Sequence, residues 1–144
     1  GVETSLGVVA DTFETAITWD RWPEFDHAVR AAVGDALKAT FGEHHSLSCR
    51  FTHVYPDGPA PYYSWSGMGS QGAEIKQWQT IKDAANEALV ANGGTSTHHH
   101  AVGRMHRPNA YDVQRPELFA QSLRAVKKHL DPNGILNPGV LIDP

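Results

Sequence analysis

The 144-residue sequence predicts an α+β domain. Its core is an antiparallel sheet with helices on one face, followed by a further helix and an extended tail. Two observations lead there. Apolar residues alternate in several short segments and recur at three- and four-residue steps in two long ones, the periods of strands and of amphipathic helices. These segments follow one another as β-α-β-β-α-β with turn residues between them, the order of the ferredoxin-like split unit.

The first segment, "LGVVADTFETAITW" (6–19), carries Val9, Phe13 and Ile17 on one parity and Thr12 and Glu14 on the other. A helix is expected next, capped by Asp20 and with Pro23 in its first turn. Trp22, Phe25, Val29, Val33, Leu37 and Phe41 form its stripe, and Gly42 ends it. In "LSCRFTHVY" (47–55), Leu47, Cys49, Phe51 and Tyr55 share one face, opposite Ser48, Arg50 and Thr52. "PDGPAP" (56–61) is turn chemistry, so "YYSWSGM" (62–68) pairs back as a hairpin with Tyr63 and Trp65 on one face. A second helix is expected from about Gln71 to Ala91, with Ile75, Trp78, Ile81, Ala85 and Leu89 inward and Gly93-Gly94 as its stop. "TSTHHH" (95–100) is then read as a fourth extended segment.

The remainder has another character. "RPELFAQSLRAVKKHL" (115–130) reads as an amphipathic helix with Leu118, Phe119, Leu123, Val126 and Leu130 inward, and "DPNGILNPG" (131–139) as consecutive turns. The expected division is therefore a ferredoxin-like part, residues 1–103, and a C-terminal helical segment with its tail, residues 104–144.

Composition excludes several classes. A net charge of −4 argues against nucleic acid, because phosphate contacts need clustered Lys and Arg. No apolar run approaches the ~18 residues of a spanning helix. The opening "GVETSLGVV" has neither the basic region nor the long apolar core of a signal peptide. One cysteine, Cys49, permits no internal disulfide, so a reducing, cytoplasmic setting is expected.

Function turns on the nine histidines, three of them contiguous: His98, His99 and His100. A sheet with helices on one face leaves its other face for solvent or a ligand, and parity puts Arg50, Thr52, Tyr62 and Ser64 there. If the triplet is extended, His98 and His100 point one way and His99 the other. Solvated imidazoles, catalytic imidazoles and a metal site all stay open at this point. Contiguous histidines lack the spacings of structural zinc, however, so no metal site is expected.

Four blocks say more. "ADTFETAITWDRW", "CRFTHVYPDG", "GGTSTHHHAVGR" and "LDPNGILNPG", in this order from about Val8 to Leu141, resemble the C-terminal part of the FAD-linked oxidases of the vanillyl-alcohol oxidase class. Within that class they look like the alkyldihydroxyacetonephosphate synthase (alkylglycerone-phosphate synthase) branch and its bacterial homologues. The D-2-hydroxy-acid dehydrogenase branches instead show an E-H-G-I-G type of block where this chain has His-His-His-x-V-G.

The resemblance implies an enzyme that exchanges an acyl chain for an alkyl ether on dihydroxyacetone phosphate through a bond to flavin N5, with FAD held by a separate N-terminal domain. It implies a tyrosine at Tyr62, rather than the core-facing Tyr63, and histidines of the triplet at the active site. Tyr62 is expected as base with His98 and His100 as catalytic partners. Arg50, His99, Arg104, Arg107 and Asn137 are expected to contact substrate or cofactor. A phenol serves as a base near neutrality only beside positive charge, which Arg50 or an imidazolium would supply.

No glycine-rich pyrophosphate cradle is read here, so the chain alone is expected to be inactive and not to hold FAD tightly. It would dock on an FAD-binding domain, or self-associate as a homodimer without one. The substrate implied is a phosphorylated ketone or a hydroxy acid, lipids included. The alternatives are the same part of a D-2-hydroxy-acid (lactate or glycolate type) FAD dehydrogenase, and a non-enzymatic ferredoxin-like module that binds a ligand or metal.

Overall fold

A computed structural model of the chain describes residues 6–143. The first residues of the stretch read above for a signal peptide lie outside that range. The elements are β1 (Val8–Glu14), α1 (Trp22–Phe41), β2 (His45–Val54), β3 (Pro59–Met68), α2 (Glu74–Ala91), a 3-10 turn (Arg104–His106), a short α3 (Tyr111–Gln114) and α4 (Glu117–Leu130). The strands form one antiparallel sheet in the order β1-β3-β2.

One face of this sheet carries the core. Phe25, Val29, Val33, Leu37 and Phe41 of α1 are buried at helical spacing, as their period predicts. They meet Val9 and Phe13 of β1, Tyr63 and Trp65 of β3, and Ile81, Ala85 and Leu89 of α2. Tyr63 stacks on Phe13, and its hydroxyl donates to Asp26 (2.8 Å), which Arg30 also holds. Burial, and after it that bond to a carboxylate, pushes the Tyr63 hydroxyl far above the ordinary phenol value. Tyr63 is a structural residue.

Element ends differ from expectation in detail. Pro23 sits in the first turn of α1, but Asp20 does not cap it; Arg21 holds the N-cap position with no side-chain bond. Gly42 closes the helix with a positive φ of 64°. Helix α2 starts at Glu74, and Ile75, expected inward, is exposed in its first turn. The helix meets β1 further along, where the Trp78 indole and the Lys82 ammonium both bind Asp11 (2.9 and 3.0 Å).

The expected fourth strand does not form. Residues 95–100 make no ladder with β1. Only Thr95 pairs across, its amide donating to the Ala16 carbonyl and its hydroxyl accepting from the Ala16 amide. Beyond it the chain bends so that three successive amides, of His98, His99 and His100, point at Glu14. An extended strand cannot do this, because its successive amides face opposite sides. Gly94 lets the chain pass there: a Cβ on it would stand 2.6 Å from the Phe25 ring and 2.7 Å from Thr15 Oγ1.

The C-terminal segment corrects a second expectation. Helix α4 forms, but Leu118, Phe119, Val126 and Leu130 are exposed, Leu123 is half-buried and Ala120 alone is buried. Ile135 and Leu136 beyond it are exposed as well. Their apolar pattern is real, and nothing among the described residues covers it. Polar contacts hold this segment instead. Asp131 accepts from Lys127 and from the amides of Ile135 (3.1 Å) and Leu136 (2.9 Å), so its carboxyl stays below the usual range.

Candidate functional site

The other sheet face has no helix. Antiparallel register sets Arg50 of β2 opposite Tyr62 of β3, and Tyr62 opposite Glu14 of β1, so the three form a row across the strands on that face. The Arg50 guanidinium lies over the Tyr62 ring, 5.1 Å from its centre. The Tyr62 hydroxyl donates to Thr12 Oγ1 (3.2 Å).

A bulge in β2 enlarges the row. Phe51 pairs with Pro61 and His53 with Ala60, which leaves Thr52 as an extra residue. Alternation beyond Phe51 is thereby inverted. His53, and with it Tyr55, moves from the core parity to the face of Tyr62, where the two rings stack (5.8 Å between centres). The reading of Tyr55 as core-facing is corrected by this one inserted residue.

Over this face lies the triplet. His99 is nearly parallel to Tyr62 at 6.1 Å, and His100 meets Tyr62 edge-on at 5.6 Å. His98 Nε2 is 3.2 Å from the Tyr55 hydroxyl, and the His98 ring lies 5.2 Å from His53. Because the segment is bent, all three imidazoles gather on one side, where strict alternation would have divided them. One nitrogen from each of His53, His98 and His99 lies within 4.8 Å of the others. A metal ion with bonds of about 2.0–2.1 Å would draw such a group together by small rotations.

Beneath them sits Glu14. Its carboxylate accepts from the Thr97 hydroxyl and from the amides of His98 (2.6 Å), His99 (3.0 Å) and His100 (2.9 Å). Burial pushes its pKa up, but these donors outweigh that penalty and hold it below the usual carboxylate value. His98 lines a cavity of about 280 Å³ with Arg21, Tyr55 and Pro59. His100 lines another, of about 250 Å³, with Glu14, Lys82, Asn86 and His106. His106 is buried, and burial first, then the Lys82 charge, keeps its imidazole below its ordinary pKa and neutral near pH 7.

Of the residues singled out in the sequence, Arg50, Tyr62, His98, His99 and His100 come together. Arg104, Arg107 and Asn137 do not join them. Arg104 donates to the Pro138 carbonyl (2.9 and 2.7 Å), while Arg107 binds Asp112, Asp143 and the Gly139 carbonyl. Asn137 forms a turn of the tail at φ 46°. Arg104 and Arg107 hold the tail to the 3-10 turn and α3, and Asn137 shapes a turn within the tail. Glu14 and Tyr55 join the site without having been expected there, although Glu14 stands on the open parity; His53, in the sequence only a distant partner that a metal site would need, comes beside the triplet.

The family model for the C-terminal domain of FAD linked oxidases matches residues 2–141. The chain belongs to that family. Its relatives include alkyldihydroxyacetonephosphate synthase of Caenorhabditis elegans, 31% identical over 95% of this chain and 23% of the relative. The same enzyme of Trypanosoma brucei brucei is 29% identical over 92% of this chain and 21% of the relative. An FAD-linked oxidoreductase of Escherichia coli is 29% identical over 62% of this chain and 19% of the relative. A solved structure of an alkyldihydroxyacetonephosphate synthase superposes with a TM-score of 0.62, covering 95% of this chain and 22% of that one at 15% identity. At that identity the likeness speaks for the fold. The chain thus spans about a quarter or less of the length of the curated relatives it matches.

The family implies FAD, and the residues fit one side of a flavin site. The helix-free face offers an aromatic ring, a guanidinium and imidazoles. A pyrophosphate cradle is not found among the described residues of that face. Gly67, Gly69 and Gly72 do approach α2 at the spacing of such a loop. However, the Gly69 amide donates to the Gly7 carbonyl, the Ser70 amide to Gln77 Oε1 and the Ala73 amide to the Ser70 carbonyl. Those donors are already engaged within the chain.

Proposed function

We propose that this chain is the substrate-side part of an FAD-dependent enzyme related in chemistry to alkyldihydroxyacetonephosphate synthase. In this reading residues 6–103 form the substrate part, and residues 104–143 dock on a domain that holds the flavin. The observation that carries it is the row Arg50–Tyr62–Glu14 lying under three gathered imidazoles.

The substrate is a phosphorylated ketone. Tyr62 acts as the phenolate: the hydroxyl proton that it shares with Thr12 passes first to solvent, and the freed oxygen takes the proton from the carbon beside the carbonyl. Arg50 lies over the ring of Tyr62 from one side and places positive charge beside the phenolate before it takes that proton. His98 and His100 bind phosphate and carbonyl oxygens, which are good acceptors for imidazole N–H groups. A flavin bound against this face would supply nucleophilic ring-nitrogen chemistry, and Tyr62, Arg50, His98 and His100 would orient the substrate and move its proton. The sheet gives these groups a rigid base, and the bent loop sets their height above it.

The experiment is the Tyr62→Phe variant of the complete enzyme. It is expected to bind flavin normally and to lose at least about a hundredfold in turnover, the usual size of a general-base contribution. Unchanged turnover would remove Tyr62 as the base.

The proximity of His53, His98 and His99 favours a second reading, a metal-dependent D-2-hydroxy-acid dehydrogenase or a metal-binding module. Zinc that co-purifies at one equivalent and is lost in His53→Ala would support it. Metal-free protein with no response to added zinc would dismiss it.

A further inference from the structure

Glu14 is on the helix-free face, beside Tyr62 in the ladder, yet it is only 2% exposed. Residues 97–100 are wrapped over its carboxylate, which accepts one hydroxyl and three successive amides. This has two chemical effects. The loop is fixed through its backbone, so no imidazole is needed to hold it in place. The carboxylate also faces the Nδ1 edges of the rings, at 3.2 Å for His99, 3.7 Å for His98 and 4.0 Å for His100.

A buried carboxylate charge beside an imidazole nitrogen favours the proton on that nitrogen. His98 Nδ1 and His99 Nδ1 are 3.3 Å apart, so they cannot both aim hydrogens along that line. Glu14 is nearer to His99 and so assigns the hydrogen to His99 Nδ1, which faces His98 Nδ1 while the carboxylate stands 3.2 Å away as a charge and not as a hydrogen-bond acceptor.

We infer that Glu14 is the positioning residue of this site: it clamps the 97–100 loop by its amides and holds the His99 proton on Nδ1, leaving Nε2 as the nitrogen with a free lone pair. The inference rests on the triplet being part of the proposed site, but its test does not depend on turnover. His99 then acts as an acceptor through Nε2, a role that its ordinary Nε2–H tautomer would forbid. Gln in place of Glu14 accepts fewer amides, carries no charge and points its own NH2 at donors.

The test is 15N NMR of histidine-labelled 144-residue chain, above the ordinary imidazole pKa, with amide hydrogen exchange. In the wild type, His99 is expected to be protonated at Nδ1. In Glu14→Gln, His99 moves toward the Nε2–H tautomer and the His98–His100 amides exchange roughly tenfold to a hundredfold faster, the factor set by losing charge-assisted bonds. Thr97→Val, which removes one donor from Glu14, is expected to speed the same amides by a smaller factor. A wild-type His99 protonated at Nε2 overturns the inference even if Glu14→Gln does not fold. So does a folded Glu14→Gln with unchanged tautomer and exchange. Full turnover in Tyr62→Phe together with an Nδ1-protonated His99 would instead retain this inference and dismiss the proposed base.

Discussion

Three leucines distinguish the core from the proposed docking face. Leu37 of α1 is 0% exposed, whereas Leu130 at the end of α4 is 73% exposed and Leu118 is 77% exposed. Fully burying a leucine side chain is worth about 1.5–3 kcal/mol. Leu130 and Leu118 keep roughly a quarter of that, so Leu130→Ala and Leu118→Ala should each cost under about 1 kcal/mol. Leu37→Ala loses the whole transfer term and leaves a cavity, for about 2–5 kcal/mol. Urea unfolding of the three variants at constant slope measures the difference directly. If Leu118→Ala and Leu130→Ala destabilise the chain as much as Leu37→Ala does, the α4 stripe is core, and its role as a docking face is refuted.

Other outcomes follow from the polar contacts. Glu14 has a folded pKa below its unfolded one, so its stabilisation is fully present above the ordinary glutamate value of ~4.3 and is lost as pH falls through the folded pKa. The 97–100 loop should therefore open on acidification before the core does, seen as loss of His98–His100 amide protection, and Glu14→Gln should remove this acid step. Lys82→Ala strips Asp11 and the Thr12 carbonyl of a buried ammonium. It should cost about 3 kcal/mol in urea unfolding, the lower end for a broken buried pair because Asp11 keeps some contact with water. Arg107→Gln frees Asp112, Asp143 and the Gly139 carbonyl. Limited proteolysis should then cut in residues 138–143 while the unfolding midpoint of the core stays unchanged.

Much of the fold was legible because burial imposes a period. The α1 stripe from Phe25 to Phe41 and the Phe13, Tyr63 and Trp65 face followed from spacing alone. What escaped depended on contacts between distant residues. The bulge at Thr52 adds a residue that leaves no mark in the alternation of 47–55, so parity puts Tyr55 on the core face and gives no sign that His53 lies beside Tyr62. "TSTHHH" has the composition of a strand, but a carboxylate 84 positions upstream of His98 competes for its amides and bends it. Arg104 and Arg107 look like anion ligands in the sequence, and carbonyls and carboxylates of the chain's own tail take them. The α4 stripe is apolar in the sequence, but an apolar face need not meet this chain's own core, and here Leu118, Phe119, Val126 and Leu130 are exposed.

The structure of the complete enzyme with FAD bound tests the central proposal most directly. The flavin ring is expected to face the surface of Tyr62, Arg50 and the triplet, with Leu118, Phe119 and Leu130 covered by the flavin-holding domain. A flavin ring on the helical side of the sheet, with Tyr62 and the histidines in open solvent, would contradict it.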